Sequence, residues 1–184
     1  EDLLISPANT GPLRVRRQVV VVHDLAVVHH PEWFDRRFAR WYEFLLPRLT
    51  RRVARVITVS SNSKLDIEQT YSLAPDHVAV VPAYAGFLPP PRAMEGDFPL
   101  PYILVVASRD PRKGLDRLVE WYAKLNEPQF QLVLVGRDAT QFTPVGLRPV
   151  KGVVLRPDVD DAELQRLYTN AIALVHLSRY EGFG

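Results

Sequence analysis

Two stretches combine charged side chains with glycine where an apolar run ends. The first, Ser108-Arg109-Asp110-Pro111-Arg112-Lys113-Gly114, follows the run Tyr102 to Ala107 and leads into a helical pattern. Cations placed there add to backbone N–H groups and a helix dipole that already favour an anion, so the stretch outlines a phosphate site. A solvated loop with arginines in surface pairs would carry the same letters, and on these residues alone both readings stand. The second stretch, Ser178-Arg179-Tyr180-Glu181-Gly182-Phe183-Gly184, follows the run Ile172 to Leu177, and its two glycines let the backbone come close to a ligand. In a parallel sheet both turns lie at the carboxyl ends of strands, the edge where open α/β sheets bind ligands, so they can share one site.

Other polar residues are weaker candidates. His23 ends an apolar run, a position more often held by a satisfied structural histidine. His29 and His30 precede Pro31 and read as a solvated turn, while His77 and His176 have no partner legible in the sequence. Asp158-Val159-Asp160 spells an acidic pattern able to hold a divalent cation, but Asp160 and Asp161 head a helix and are explained as caps, so no metal site is expected.

Elements must position these residues. Short β-branched runs alternating with helical patterns predict βαβ units and mostly parallel sheets, an α/β fold. Strands are expected at Gln18 to Val22, Arg55 to Val59 and Val78 to Val81, then at Tyr102 to Ala107, Gln131 to Val135, Val153 to Leu155 and Ile172 to Leu177. Most are apolar on both faces, as strands between helix layers must be. Helices are expected at Asn62 to Tyr71, Leu115 to Leu125 and Ala162 to Asn170. Between Trp33 and Arg55, aromatic and leucine residues recur at helical spacing among seven arginines, with Pro47 expected to kink or split the helix. Such a face could lie on anionic lipid as a peripheral membrane contact. Aromatic residues at this spacing more often make core and leave arginines solvated, which is the favoured reading.

The chain has 184 residues, 23 basic and 21 acidic, and 47% apolar composition, which suits folded domains and excludes a disordered tail. A net charge of +2 is too weak a field to announce a nucleic-acid partner. Cysteine is absent, which removes disulfides and thiolate chemistry and suits a cytoplasmic location. No apolar run approaches the ~20 residues that span a bilayer. The proline-rich stretch Ala83 to Pro101 reads as a linker, dividing the chain into residues 1–96 and 97–184, and the chain as a whole reads as a fragment.

With these stretches in place the sequence resembles a known family. Glu181-Gly182-Phe183-Gly184 is similar to the start of the E-x7-E signature of retaining GT-B glycosyltransferases of the large family-4 group. Arg109 and Lys113 resemble its diphosphate-binding Arg and Lys. "SPANTGPL" from Ser6, "HDLAVVHHPEWF" with His23 and "RVITVSSNSKLDI" from Arg55 resemble first-domain segments, and the five motifs arrive in family order. Three departures stand out: Arg109 and Lys113 are closer together than in many relatives, Ala83-Tyr84-Ala85-Gly86 replaces a customary Asn-Gly, and the second glutamate would fall beyond Gly184.

The resemblance implies two Rossmann-like domains with parallel sheets facing across a cleft, both incomplete here. It implies transfer of a hexose, with retention and without a metal, from a nucleotide sugar to a glycan or lipid-linked acceptor. Arg109 and Lys113 would then stabilise the departing diphosphate, while Glu181 and His23 contact the sugar. Ser108, Gly182, Phe183 and Gly184 would bind the donor, and Asn9 and Gly11 would line the acceptor side of the cleft. No cofactor is implied, the GDP- or UDP-linked sugar being a substrate. The first-domain segments most resemble bacterial mannosyltransferases of surface-polysaccharide assembly, which suggests GDP-mannose and a place in the cytoplasm or on the inner membrane face. A sugar-nucleotide epimerase or phosphorylase of similar fold, and a non-catalytic nucleotide-binding fragment, are the alternatives.

Overall fold

The protein is described by a computed structural model covering residues 2–84, 98–138, 142–143 and 146–183. The chain forms two units, Glu1–Gly86 together with Tyr180–Gly184, and Phe87–Arg179. Most of the expected linker, residues 85–97, lies outside the described residues, as does Gly184.

In the first unit β1 (Leu4–Ser6), β2 (Gln18–Val21), β3 (Arg55–Thr58) and β4 (Val78–Val80) form a parallel sheet in sequential order. The helices are α1 (Ala26–His29), α2 (Arg36–Thr50) and α3 (Ser61–Tyr71). Val20 and Val56 from the strands, Val22 just after β2, and Leu25, Leu45, Leu46, Leu49 and Ile67 from helices and their approaches are fully buried. The strand β1 was not expected: Leu4–Ser6 is too short to show a period, and pairing with β2 defines it.

α2 starts at Asp35, whose carboxylate accepts from the backbone N–H of Arg37 and Phe38. The expected break at Pro47 does not occur, and the helix runs unbroken to Thr50. Proline removes one donor and crowds the carbonyl four residues back. That carbonyl belongs to exposed Glu43, where water can satisfy it, and next to it the Arg48 guanidinium donates to the Phe44 carbonyl at 2.7 Å.

The second unit holds β5 (Tyr102–Val106), α4 (Leu115–Ala123), β6 (Gln131–Val135), β7 (Val153–Arg156), α5 (Asp161–Asn170) and β8 (Ala173–Leu174), with parallel strand order β7-β6-β5-β8. Alternation along the strands splits the core into two layers. Val105, Leu132 and Leu134 pack with Leu115, Leu118, Val119 and Tyr122, whereas Tyr102, Leu104, Val133 and Val135 pack with Leu167. β8 is shorter than the run Ile172 to Leu177 suggested: only Ala173 and Leu174 pair with β5. α5 is capped as expected: Asp160 accepts from the Glu163 N–H at 2.7 Å, and Asp158 pairs with Arg137.

The order of these strands matters for function. From β5 the chain winds outward to β6 and β7, then α5 carries it back to β8 on the other side of β5. The boundary between β5 and β8 is therefore a switch point, where open parallel sheets bind ligands at their carboxyl edge.

Candidate functional site

At that edge the turn after β5 meets the start of the second expected turn, Ser178 and Arg179, while the rest of that turn, from Tyr180 on, belongs to the first unit. Gly114 sits at φ +64°, and a side chain there would come within 2.9 Å of the Leu177 carbonyl oxygen, so the turn after β5 lies against the end of the run through β8. The Arg179 N–H donates to the Arg112 carbonyl at 2.7 Å, and the Arg179 guanidinium reaches Asp116 at 3.1 Å. The loop is organised by Asp110, only 1% exposed. Its carboxylate accepts from the Ser108 hydroxyl at 2.6 Å, the Arg112 N–H at 3.0 Å and Arg112 Nε at 3.2 Å. Pro111–Lys113 thereby close a short 3-10 turn, with the Lys113 N–H on the Asp110 carbonyl.

Arg109 donates through Nη2 to exposed Asp138 at 2.6 Å, but its Nε is buried with no hydrogen-bond partner. The Ser178 hydroxyl, from the turn after β8, is likewise buried and unpartnered. An orphaned buried polar atom costs about 1–3 kcal/mol, so two from the two turns of one edge need an explanation, and a polar ligand supplies one. Ser108, Arg109 and Lys113 lie in one turn after β5, with the Arg109 guanidinium turned to Asp138 beyond β6. Ser108 is held by Asp110, which the sequence did not single out, and Ser178 was likewise read only as part of its turn.

His23, Asn9, Glu181 and Gly182 belong to the first unit. The Asn9 side-chain oxygen accepts from the His23 N–H at 2.8 Å, and Asn9 itself sits in the left-handed region at φ 35°. His23 Nε2 lies 3.2 Å from the Pro7 carbonyl, which in the neutral ring puts the proton on Nε2 and leaves Nδ1 as an acceptor. Gly11 packs tightly, since a side chain there would press on Gln18 and Ser6, two buried polar residues hydrogen-bonded to each other.

The Glu181 turn is seated against the end of β2. A side chain at Gly182 would collide with the His23 carbonyl oxygen and crowd Asp24. The Gly182 carbonyl accepts from the Ser60 hydroxyl at 2.6 Å and the Ser63 hydroxyl at 3.0 Å, while Ser60 also caps α3. One residue earlier, the Tyr180 hydroxyl donates to Asp66 at 2.7 Å. Burial first, and then the Asp66 carboxylate, hold the Tyr180 hydroxyl well above the usual tyrosine pKa. Residues 181–183 form a bend, and Phe183 is exposed.

His29 is exposed and His30 half-buried, as the reading of a solvated turn has them, but each has a partner at this seat. His29 ends α1, with Nε2 2.7 Å from the other oxygen of Asp66, and His30 stacks on Trp33 at 3.9 Å between ring centroids. His77 also has a role, meeting the Thr50 carbonyl at the end of α2 at 2.7 Å.

Comparison with known proteins accords with this geometry. Residues 5–83 match the model of the family described as Glycosyltransferase Family 4, and residues 99–184 that described as Glycosyl transferases group 1. The chain belongs to these glycosyltransferases, and its two parallel α/β units are of the GT-B type. Among relatives, the O-antigen chain mannosyltransferase RfbU of Salmonella typhimurium is 28% identical over the whole chain and 52% of that protein. The MMP alpha-(1->4)-mannosyltransferase of Mycolicibacterium hassiacum is 29% identical over 86% of the chain and 43% of its own length. The chain thus spans about half the length of these relatives. The structure of TarM superposes over 91% of the chain and 33% of its own, with TM-score 0.62 at 16% identity, which speaks to fold alone.

Proposed function

We propose that this chain is the central part of a retaining mannosyltransferase that takes its sugar from GDP-mannose and delivers it to a glycan or lipid-linked acceptor. The observation that carries the reading is the turn Ser108 to Lys113 at the carboxyl end of β5, where Arg109 Nε is buried and orphaned, as is Ser178 Oγ after β8. The mannosyltransferase relatives support the choice of sugar.

Breaking the bond between the sugar carbon and the β-phosphate oxygen leaves the electron pair on the diphosphate. Arg109 and Lys113 face more negative charge in that transition state than in the ground state, so they lower the barrier rather than only binding substrate. Fixed cations in this role make a metal unnecessary. His23 and the Glu181 turn, which meet within the first unit, are assigned to sugar hydroxyls, and the Ser108 hydroxyl and the Gly182 and Phe183 backbone to the donor.

The test is transfer from labelled GDP-mannose by the full-length protein. Arg109→Ala and Lys113→Ala should each lower turnover at least ~100-fold, as removal of an oxyanion-stabilising donor does. Undiminished turnover in both would remove their role. An epimerised nucleotide sugar or a sugar 1-phosphate as the product would replace transfer by the epimerase or phosphorylase reading.

A further inference from the structure

Glu181 stands between two anchored residues. On its amino side the Tyr180 hydroxyl donates to Asp66 Oδ2 at 2.7 Å. On its carboxyl side the Gly182 carbonyl accepts from the hydroxyls of Ser60 at 2.6 Å and Ser63 at 3.0 Å. Ser60, Ser63 and Asp66 follow one another at three-residue spacing from the cap of α3 inward, which puts them on one side of the helix. The cap itself orients Ser60: its oxygen accepts from the Ser63 N–H at 3.1 Å, so its one proton is left for Gly182. Ser63 is only 2% exposed, and with its hydroxyl added both lone pairs of the Gly182 carbonyl are taken. Asp66 is fixed in turn on its other oxygen, by His29 Nε2 at 2.7 Å and the Thr70 hydroxyl at 3.3 Å.

We propose that Ser60, Ser63 and Asp66 are positioning residues for the transfer, setting where Glu181 points by holding the residue on either side of it. This rests on the assignment of Glu181 to sugar hydroxyls. Bonds to both neighbours restrain the backbone at Glu181 and with it the direction of the Cα–Cβ bond, leaving the carboxylate only its own side-chain rotations. A turn that needs only cover is held well enough by apolar contact, which has no direction. Here a carboxylate and two hydroxyls do the holding, through bonds that weaken steeply once the angle departs. A group that bonds to the sugar acts fully only at its productive geometry, and a displacement of ~1 Å can cost about 100-fold in rate. The three residues act through Glu181 and touch no substrate.

The test joins native-state proteolysis to kinetics on the full-length protein, in the variants Tyr180→Phe, Asp66→Ala and Ser63→Ala. Ser63→Ala leaves the Ser60 cap of α3 in place. A glutamate-specific protease should cut after Glu181 about tenfold faster in each, the population change that follows from losing one such hydrogen bond. Cutting after Glu120 in α4 should be unchanged, which separates a released turn from lost folding. Turnover of labelled GDP-mannose should fall about tenfold or more, with KM for the donor moved less than about threefold. Asp66→Asn, which keeps an acceptor for Tyr180, should lose less than Asp66→Ala. In a Glu181→Ala background the same substitutions should cost no more than about twofold, because their effect runs through Glu181. Full additive losses in that background overturn the proposal, as does full turnover in variants whose turn is released, and both leave the assignment of Glu181 standing. Unchanged cutting after Glu181 in all three variants also overturns it, since the turn is then held by other contacts. Undiminished turnover in Glu181→Ala alone withdraws the assignment of Glu181, and the proposal falls with it.

Discussion

Asp66 is the residue on which most of the local polar structure of the first unit converges. It accepts from the Tyr180 hydroxyl on one oxygen and meets His29 and the Thr70 hydroxyl on the other. Its charge also raises the pKa of Tyr71, whose hydroxyl is buried without a partner and is pushed up first by burial. Both tyrosines therefore keep their protons where the unfolded chain, with its ordinary value of 10.0, begins to release them. The sign follows by linkage: stability is fully present below about pH 10 and is lost as the pH rises beyond it. For Tyr71, which is 5% exposed, the loss approaches about 1.4 kcal/mol per pH unit. Urea midpoints measured between pH 8 and 11 should fall above pH 10, and fall less in Tyr71→Phe. The same substitution should leave stability at pH 8 equal or higher, since it deletes an orphaned hydroxyl. An equal alkaline fall in Tyr71→Phe and the parent would remove the explanation.

At the scale of elements, α2 shows how context overrides a breaker. Pro47 lies three residues before the helix end, so its missing donor affects only the Glu43 carbonyl at the surface. Pro47→Ala restores that hydrogen bond and should raise stability by about 1 kcal/mol or more in urea unfolding, less than the full ~3 kcal/mol of an interior position. A lower stability would mean that the ring packs more usefully than its half-buried state suggests. The strands, by contrast, were legible almost residue by residue, because β-branched runs buried on both faces leave few other readings. The edges were not. β1 lacks a period of its own, and the pairing of β8 stops after two residues although its apolar run continues. The turn after β5 could be read from Ser108 to Gly114 because its charged residues and glycine are contiguous. The seat of Gly182 could not, since Ser60 lies 122 residues away and looks like an ordinary helix cap. Likewise Asp110 reads as one acid between arginines, and only its burial identifies it as the organiser of the turn.

At the scale of the whole molecule, each of the two units encloses its own buried residues, and the groups assigned to the diphosphate all lie in the second. Units with separate cores unfold as separate transitions unless something ties their stabilities together. Tryptophan reports on each: Trp121 lies in α4 of the second unit, while buried Trp33 and exposed Trp41 lie in the first. In a Trp33→Phe, Trp41→Phe variant the fluorescence follows the second unit, and in Trp121→Phe it follows the first. GDP at about 100 times its dissociation constant should stabilise what it binds by about 2.7 kcal/mol. If the β5–β8 edge holds the diphosphate, GDP should move the Trp121 transition by that amount and leave the first-unit transition within ~0.5 kcal/mol. Arg109→Ala should abolish the shift without moving the transition measured in the absence of GDP. A shift confined to the first unit would relocate the nucleotide away from Arg109 and Lys113. Equal shifts in both would show instead that the two units do not unfold independently, and Arg109→Ala alone would then decide where the nucleotide sits.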